Sequence, residues 1–458
     1  MPSNEKLGMS NVARPSVWRQ RDFVKVWSAA TVSVMGSQIT LIAFPFIAAK
    51  MLNASVFQIS LLTAVEMLPF LLFTLPAGAW LDRIRRKPVL IAADTIRGVV
   101  LLSVPFAYLF GNLTIMQLYA VAFLTGTFTA FFDVADQSYL PAIVGRDDLV
   151  DANAKLQISY SAAQIGGSAI GGNLLAVIAA PVAIVADAIS FFISAAFLSS
   201  IRKHEAKPER PVGADGRPTS MRVDIAAGLH YVLGNRYLRP IAACTGISNL
   251  FAAALFAVFP FLIWNELKLP PAFYGTVMAL AAIGFLAGAA LSNRLPRSIG
   301  LGPAIVVSAA LSSPAFLLIA LTPPDLSWAA VTLFVGSFVA GMTQVVYNVA
   351  QISLRQAITP PAMQSRMNAT MRFIVWGTIP IGSVMGGVMA TILPVRVALI
   401  IAALGTFASA LPVIFSPVRS LRDIPDSVED ADGAVPHAED AVLASVAVHD
   451  PRRPIPEA

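Results

Sequence analysis

The chain has 458 residues, of which 56% are apolar before its 29 glycines are counted and only 13% are charged, and its mean hydropathy is +0.71. A soluble chain carries roughly 25% charged residues to cover its surface, so a soluble globular class is excluded and a polytopic membrane protein follows. The surplus of 32 basic over 26 acidic residues is no nucleic-acid signal, because these charges sit between apolar stretches. A single cysteine, Cys244, excludes an intrachain disulfide and any cysteine-rich metal centre. His204, His230, His437 and His449 fall in loops or the tail, and the motifs of a zinc protease, an ATP-driven pump or a hydrolase are missing. The chain is therefore expected to be no enzyme and to hold no metal and no cofactor.

A helix crosses the hydrocarbon core with roughly 20 apolar residues. Twelve segments qualify, at about 24 to 48, 57 to 81, 88 to 110, 115 to 138, 154 to 178, 180 to 200, 240 to 264, 273 to 293, 301 to 321, 328 to 352, 368 to 392 and 395 to 416. The expected fold is all-α with 12 transmembrane helices. Basic residues mark the inner side of a membrane. They collect in the N-terminal arm (Lys6, Arg14, Arg19, Arg21, Lys25), in the second loop (Arg83, Arg85, Arg86, Lys87) and between Arg202 and Arg239, whereas the alternate loops hold only Lys50, Lys268 and Arg396. Both termini are thus expected in the cytoplasm, with the chain in the inner (plasma) membrane.

Residues 202 to 239 separate two sets of six spans. The expected organisation is an N-terminal arm (1–22), a first six-helix bundle (23–201), a cytoplasmic linker (202–239), a second bundle (240–417) and a disordered cytoplasmic tail (418–458). The linker begins polar and rich in Pro and Gly, as a flexible connection does. From Met221 to Tyr237 its apolar residues recur at helical spacing beside basic ones, which predicts a helix on the inner membrane surface. The tail carries four basic and nine acidic side chains and several prolines.

Shifted by 215 residues, the chain aligns with itself without a gap from Val134 on Val349 to Gly172 on Gly387. GSAIGG (167–172) meets GSVMGG (382–387), and Ala135, Ser138, Ala142, Ile143, Asn153 and Ala154 meet identical residues. Two parallel six-helix repeats imply a pseudo-two-fold axis along the membrane normal, with a substrate site between the halves near the midplane.

These features carry a family likeness. GAWLDRIRRK, from Gly78 to Lys87, resembles the loop motif between the second and third helices of the major facilitator superfamily, with Arg85 at the usual second glycine. GSAIGG is similar to the fifth-helix antiporter motif, with Ser168 in place of the usual proline. SQIT in the first span, LPAGAWLDRIRRKPVLIAAD and YLPAIVGRDDLVDANA resemble the branch of enterobactin-type siderophore exporters and macrolide efflux proteins, a likeness covering nearly all of residues 18–417. The resemblance implies a segment around Gly167, Gly171 and Gly172 that seals one side of the path. In physical terms those small residues let helices pack closely.

Gly78 allows a similar close approach, and Asp82 at the membrane edge can pair with Arg83 or Arg86 or face the positive N-terminus of another helix. Gly78, Asp82, Arg83, Arg86 and Lys87 are thus expected to form a latch that holds one conformation. Orientation by positive charge alone explains the basic residues but not Asp82.

Charged side chains inside a bilayer are costly and usually face a cavity or a partner. Glu66, Asp94, Arg97, Asp133, Asp136 and Asp187 stand out within the spans. Glu66 and Arg97 lie deepest and are the leading functional pair, while Asp94 can instead pair with Arg97 three residues on along one helix. Asp187 has Ser190 within hydrogen-bonding spacing and reads as structural. Thr129, Asp133 and Asp136 share one face of the fourth span, and the repeat offset gives Gln344, Asn348 and Gln351 on the tenth. These stripes are expected to line the cytoplasmic side of a central cavity.

The chain reads as a secondary transporter that exports amphipathic small molecules of a drug or siderophore-like kind, by proton antiport and alternating access. Its partners are a small-molecule substrate, protons and the lipid bilayer, with no nucleic acid, and it is expected to be a monomer. A proton-coupled nutrient importer of the same fold is the first alternative. A non-transporting membrane sensor or enzyme is the second, disfavoured because the loops are short and the histidines scattered.

Overall fold

The computed structural model describes residues 17–81, 84–144, 148–203, 205, 221–292, 294–360 and 363–422. The first half comprises α1 (Arg21–Phe46), α2 (Val56–Leu81), α3 (Arg86–Leu109), α4 (Ile115–Val144), α5 (Leu149–Val177) and α6 (Ala180–Ser199). A linker helix α7 (Met221–Gly234) leads into α8 (Leu238–Phe261), α9 (Pro271–Leu291), the short α10 (Arg294–Ile299), α11 (Leu301–Ala320), α12 (Leu326–Ile358), α13 (Gln364–Ile392), α14 (Val395–Ala408) and α15 (Leu411–Ile414). Several starts are set by local chemistry. Proline occupies the first turn of α6 and α9, where a missing N–H costs nothing, and the Asp325 carboxylate caps α12 by accepting from the Ser327 and Trp328 amides.

Eleven of the described helical stretches are long and apolar enough to cross a membrane. The twelfth member of the bundle is α5, whose 29 residues have the length but whose Asp151, Asn153, Lys155, Gln157 and Gln164 dilute its hydropathy. Being packed on α1 and α9, it needs a less apolar surface than a helix facing lipid.

The repeat read from the sequence is repeated in the packing. Helix α1 packs on α5 and α6, α2 on α4, and α3 on α4 and α6; in the same way α8 packs on α13 and α14, α9 on α12, and α11 on α12 and α14. The halves meet through the equivalent pairs α5 with α9 and α2 with α13.

The glycine motif shows why its spacing recurs. Methyl groups on Gly167 and Gly171 would lie 2.7 Å from Met35 O and 3.2 Å from Ile39 Cα, both on α1. On Gly382 and Gly386 they would lie 2.0 and 2.3 Å from carbonyls of α8. The third glycine of each motif faces the opposite half: Gly172 approaches Gly275 on α9, and Gly387 approaches Ser60 on α2. Two glycines thus build each half and the third builds the seam.

The apolar core is divided unevenly along the bundle axis. One large cluster joins both halves, from Ile39 to Ile59 of the first to Leu255 to Trp264 of the second. At the end that carries Val17, Ile201 and Val418, here the terminal face, there are instead two clusters, one confined to residues 17–201 and the other to residues 232–421. The bundle is closed at the far end and parted at the terminal face.

Helix α7 packs on the second bundle: Val232 is buried, Gly228 abuts Thr370 and the Arg366 carbonyl of α13, and the Tyr231 hydroxyl donates to the Ile358 carbonyl. The start of the tail is folded too. Pro417–Ser420 form a 3₁₀ turn, and the amides of Leu301 and Gly302 donate to the carbonyls of Arg422 and Leu421, so α11 uses the chain after the last span to satisfy its first turn. Residues 423–458 lie outside the described residues.

Candidate transport pathway

The closed far end is built from two matching elements. After Pro45, α1 widens into a π-helical turn, Ile47–Met51; after Pro260, α8 does the same at Leu262–Glu266. The offset is again 215 residues, and Asn53 and Lys268, also so related, have positive φ values of 51° and 55°. A proline removes an intrahelical donor and crowds the preceding turn, and π turns are found mainly at functional positions. The two turns meet across the pseudo-two-fold axis. Phe46 and Trp264 pack edge to face at 5.1 Å, and Lys50 Nζ donates to the Trp264 carbonyl at 2.6 Å.

Below this seal Phe70 of α2 stacks on Trp376 of α13 at 4.6 Å. A cavity of about 270 Å³ adjoins them, lined from the first half by Leu71, Thr74, Ala130 and Asp133 and from the second by Asn368, Arg372 and Phe373. Arg372 belongs to the eleventh expected span, but it stands outside the stripe on the tenth, so the repeat offset does not lead to it. A charge in an apolar span was the signal available.

The six charges singled out from the sequence separate into two kinds. Asp94, Arg97 and Asp187 have fixed partners, and only the Nε of Arg97 is left without one among the described residues. Arg97 donates to Asp94 and, at 3.3 Å, to the Thr129 hydroxyl, and its guanidinium lies over the rings of Phe132 and Phe191 at 4.6 and 4.2 Å. Asp94 also accepts from Ser194 at 2.5 Å, and Asp187 accepts from Thr40 and, at 3.1 Å, from Ser190. Gly36 makes room for that last pair, since a methyl there would lie 2.1 Å from Ser190 Oγ.

Glu66, Asp133 and Asp136 have no hydrogen bond or ion pair within 4.0 Å among the described residues. Glu66 and Arg97, the leading functional pair expected from sequence, are not in contact, and Arg97 pairs with Asp94 beside it. Asp133 feels Arg97 and, from the other half, Arg372. Of the two polar stripes only Asp133 lines the cavity. Gln344 and Asn348 are half-buried on α12, and Gln351 is buried with its Oε1 unpartnered.

The expected latch falls partly outside the described residues, which omit Asp82 and Arg83 and the surroundings of Gly78. Arg86 and Lys87 are engaged within their own half. Glu205, assigned by sequence to the linker, caps α3 by accepting from the Arg86 amide at 2.8 Å and the Lys87 amide at 3.0 Å, while Lys87 Nζ donates to the carbonyls of Ser199 and Ile201. Asp22 similarly accepts from the Lys203 amide at 3.0 Å. The first residues of the linker therefore belong to the first bundle.

Two parallel six-helix halves, sealed at one end and parted at the other around a charged, aromatic cavity, are the architecture of a transporter of the major facilitator superfamily. Residues 14–443 match the family described as transmembrane secretion effector, and the chain belongs to it. It is a multi-pass membrane transporter and not an enzyme. It is 26% identical over 408 residues to the multidrug efflux pump Tap of Mycobacterium tuberculosis, covering 86% of this chain and 91% of that one. It is 24% identical over 420 residues to the enterobactin exporter EntS of Escherichia coli O157:H7, covering 90% and 96%. In fold it is similar to a bacterial homologue of the iron transporter ferroportin in an inward-facing state, at 15% identity and a TM-score of 0.66, covering 87% of this chain and 99% of that one.

Proposed function

We propose that this transporter exports amphipathic small molecules from the cytoplasm by proton antiport, with both termini inside and the terminal face open to the cytoplasm. The observation that carries the reading is that Glu66, Asp133 and Asp136 lie in the membrane-spanning part of the first half without hydrogen-bond partners among the described residues, while Asp94 and Asp187 are held by theirs. A carboxylate with no fixed partner is free to exchange a proton or a cationic substrate, and a held one is not. That the relatives Tap and EntS are an efflux pump and an exporter supports export, and the excess of Lys and Arg on the terminal face supports the orientation. The Gly78 to Lys87 segment acts as the conformational latch through Asp82 and Arg83, since Arg86 and Lys87 are committed to their own half.

Membrane vesicles test direction and coupling together. Inside-out vesicles with an acidic lumen are expected to accumulate substrates drawn from a panel of siderophores, macrolides and cationic dyes. Accumulation only in right-side-out vesicles with an acidic exterior would instead make the protein an importer.

A further inference from the structure

The cavity between α2, α4 and α13 holds two opposite charges that no described residue neutralises at contact distance. Asp133 comes from the first half and Arg372 from the second; each lines the cavity, and neither has an ion pair within 4.0 Å or a hydrogen bond among the described residues. Arg97, by contrast, is paired with Asp94, donates to Thr129 and lies against two aromatic rings, and only its buried Nε is without a partner among the described residues. Apart from the two charges and the uncharged polar Thr74 and Asn368, the lining is aromatic and apolar, with the stacked pair Phe70 and Trp376, Phe373 and Leu71.

Each kind of ligand meets this arrangement differently. A plain cation gains from Asp133 but is repelled by Arg372; a plain anion meets the reverse. A molecule with a cationic amine at one end, a carboxylate at the other and a flat ring between them satisfies both groups. The carboxylate fits the planar fork of Arg372 and the ammonium pairs with Asp133, while the ring replaces water on the aromatic walls. The volume of about 270 Å³ suits a compact ring system rather than a peptide or a lipid chain.

We propose that aromatic zwitterions are the preferred substrate class of this cavity, with Asp133 and Arg372 as its two specificity-determining poles. This rests on the reading that substrate passes through the cavity, but not on the direction of transport or on its coupling.

Three forms of one fluorophore provide the test: a quinolone acid bearing a piperazine, its ethyl ester and its N-acetyl derivative, which are a zwitterion, a cation and an anion with the same ring. Binding to the purified full-length protein in lipid nanodiscs, without a proton gradient, is read by fluorescence anisotropy. The zwitterion is expected to bind at least tenfold tighter than either derivative. Arg372→Gln should remove that advantage over the ester and leave ester binding unchanged or tighter, whereas Asp133→Asn should remove the advantage over the N-acetyl form. Equal binding of all three forms to the native protein would overturn the proposal without any variant. Equal weakening of all three by Arg372→Gln, in protein that elutes and melts like the native one, would overturn the assignment of Arg372. Because no gradient is present, a failure of the vesicle experiment and a failure here are separate results.

Discussion

At the scale of single residues, what matters is whether a charge already has a partner. Asp94 is held by Arg97 and Ser194 in a fully buried site, which supports a structural role. Asp94→Asn should cost about 3–5 kcal/mol by leaving the arginine unpaired in low dielectric, seen as a lower thermal midpoint and a smaller monodisperse yield. Glu66→Gln should behave in the opposite way. Since Glu66 does not neutralise Arg97, yield and melting should stay as in the native protein while transport driven by a pH gradient falls at least tenfold; gradient-driven uptake at the native rate would move the coupling acid to Asp133 or Asp136. Glu205→Gln should weaken the α3 cap by about 1 kcal/mol and leave substrate binding unchanged. The sequence disclosed which charges lie inside the membrane, because a charge in an apolar span stands out. It disclosed the partners close in sequence, Arg97 for Asp94 and Ser190 for Asp187, but not Ser194 and Thr40, which lie on other helices, 100 and 147 residues from the acids they hold.

At the scale of helices, the repeat explains more than the aligned segment suggested. The GSxxGG motif was legible because four of six consecutive residues are identical and the other two are apolar in both copies. The FPF of residues 44–46 and of 259–261 carries the same offset but is a short match among apolar residues, and only the paired π turns give it meaning. Since Gly172 and Gly387 face the opposite half, Gly172→Ala should strain the closed far end by about 1–3 kcal/mol and shift the population away from the state described here. Gly167→Ala, whose methyl would meet α1 of the same half, should lower stability without that shift. Lys50→Met removes the hydrogen bond to Trp264 and should move the same equilibrium in the direction of Gly172→Ala by about 1 kcal/mol. Reactivity of a cysteine introduced beside the seam at Ser60, in a Cys244→Ser background, measures each shift.

For the molecule as a whole, the uneven division of the core dictates the motion. One cluster joins the halves at the far end and two separate clusters occupy the terminal face, so the halves can rock as bodies without either terminal cluster being broken. Closing the terminal face must then part the far end, because the apolar seam there cannot stay packed while the other end shuts. Spin labels placed in pairs on exposed positions test this: Ser200 with Ser420 on the terminal face, and Asn112 with Leu326 at the far end. With substrate or with a change of pH, the first distance should shorten as the second lengthens, in the same fraction of molecules. If the terminal distance shortened while the far-end distance stayed fixed, the halves would not move as rigid bodies. The change would then have to lie within α2 and α13, whose prolines Pro69, Pro76 and Pro380 offer places to bend.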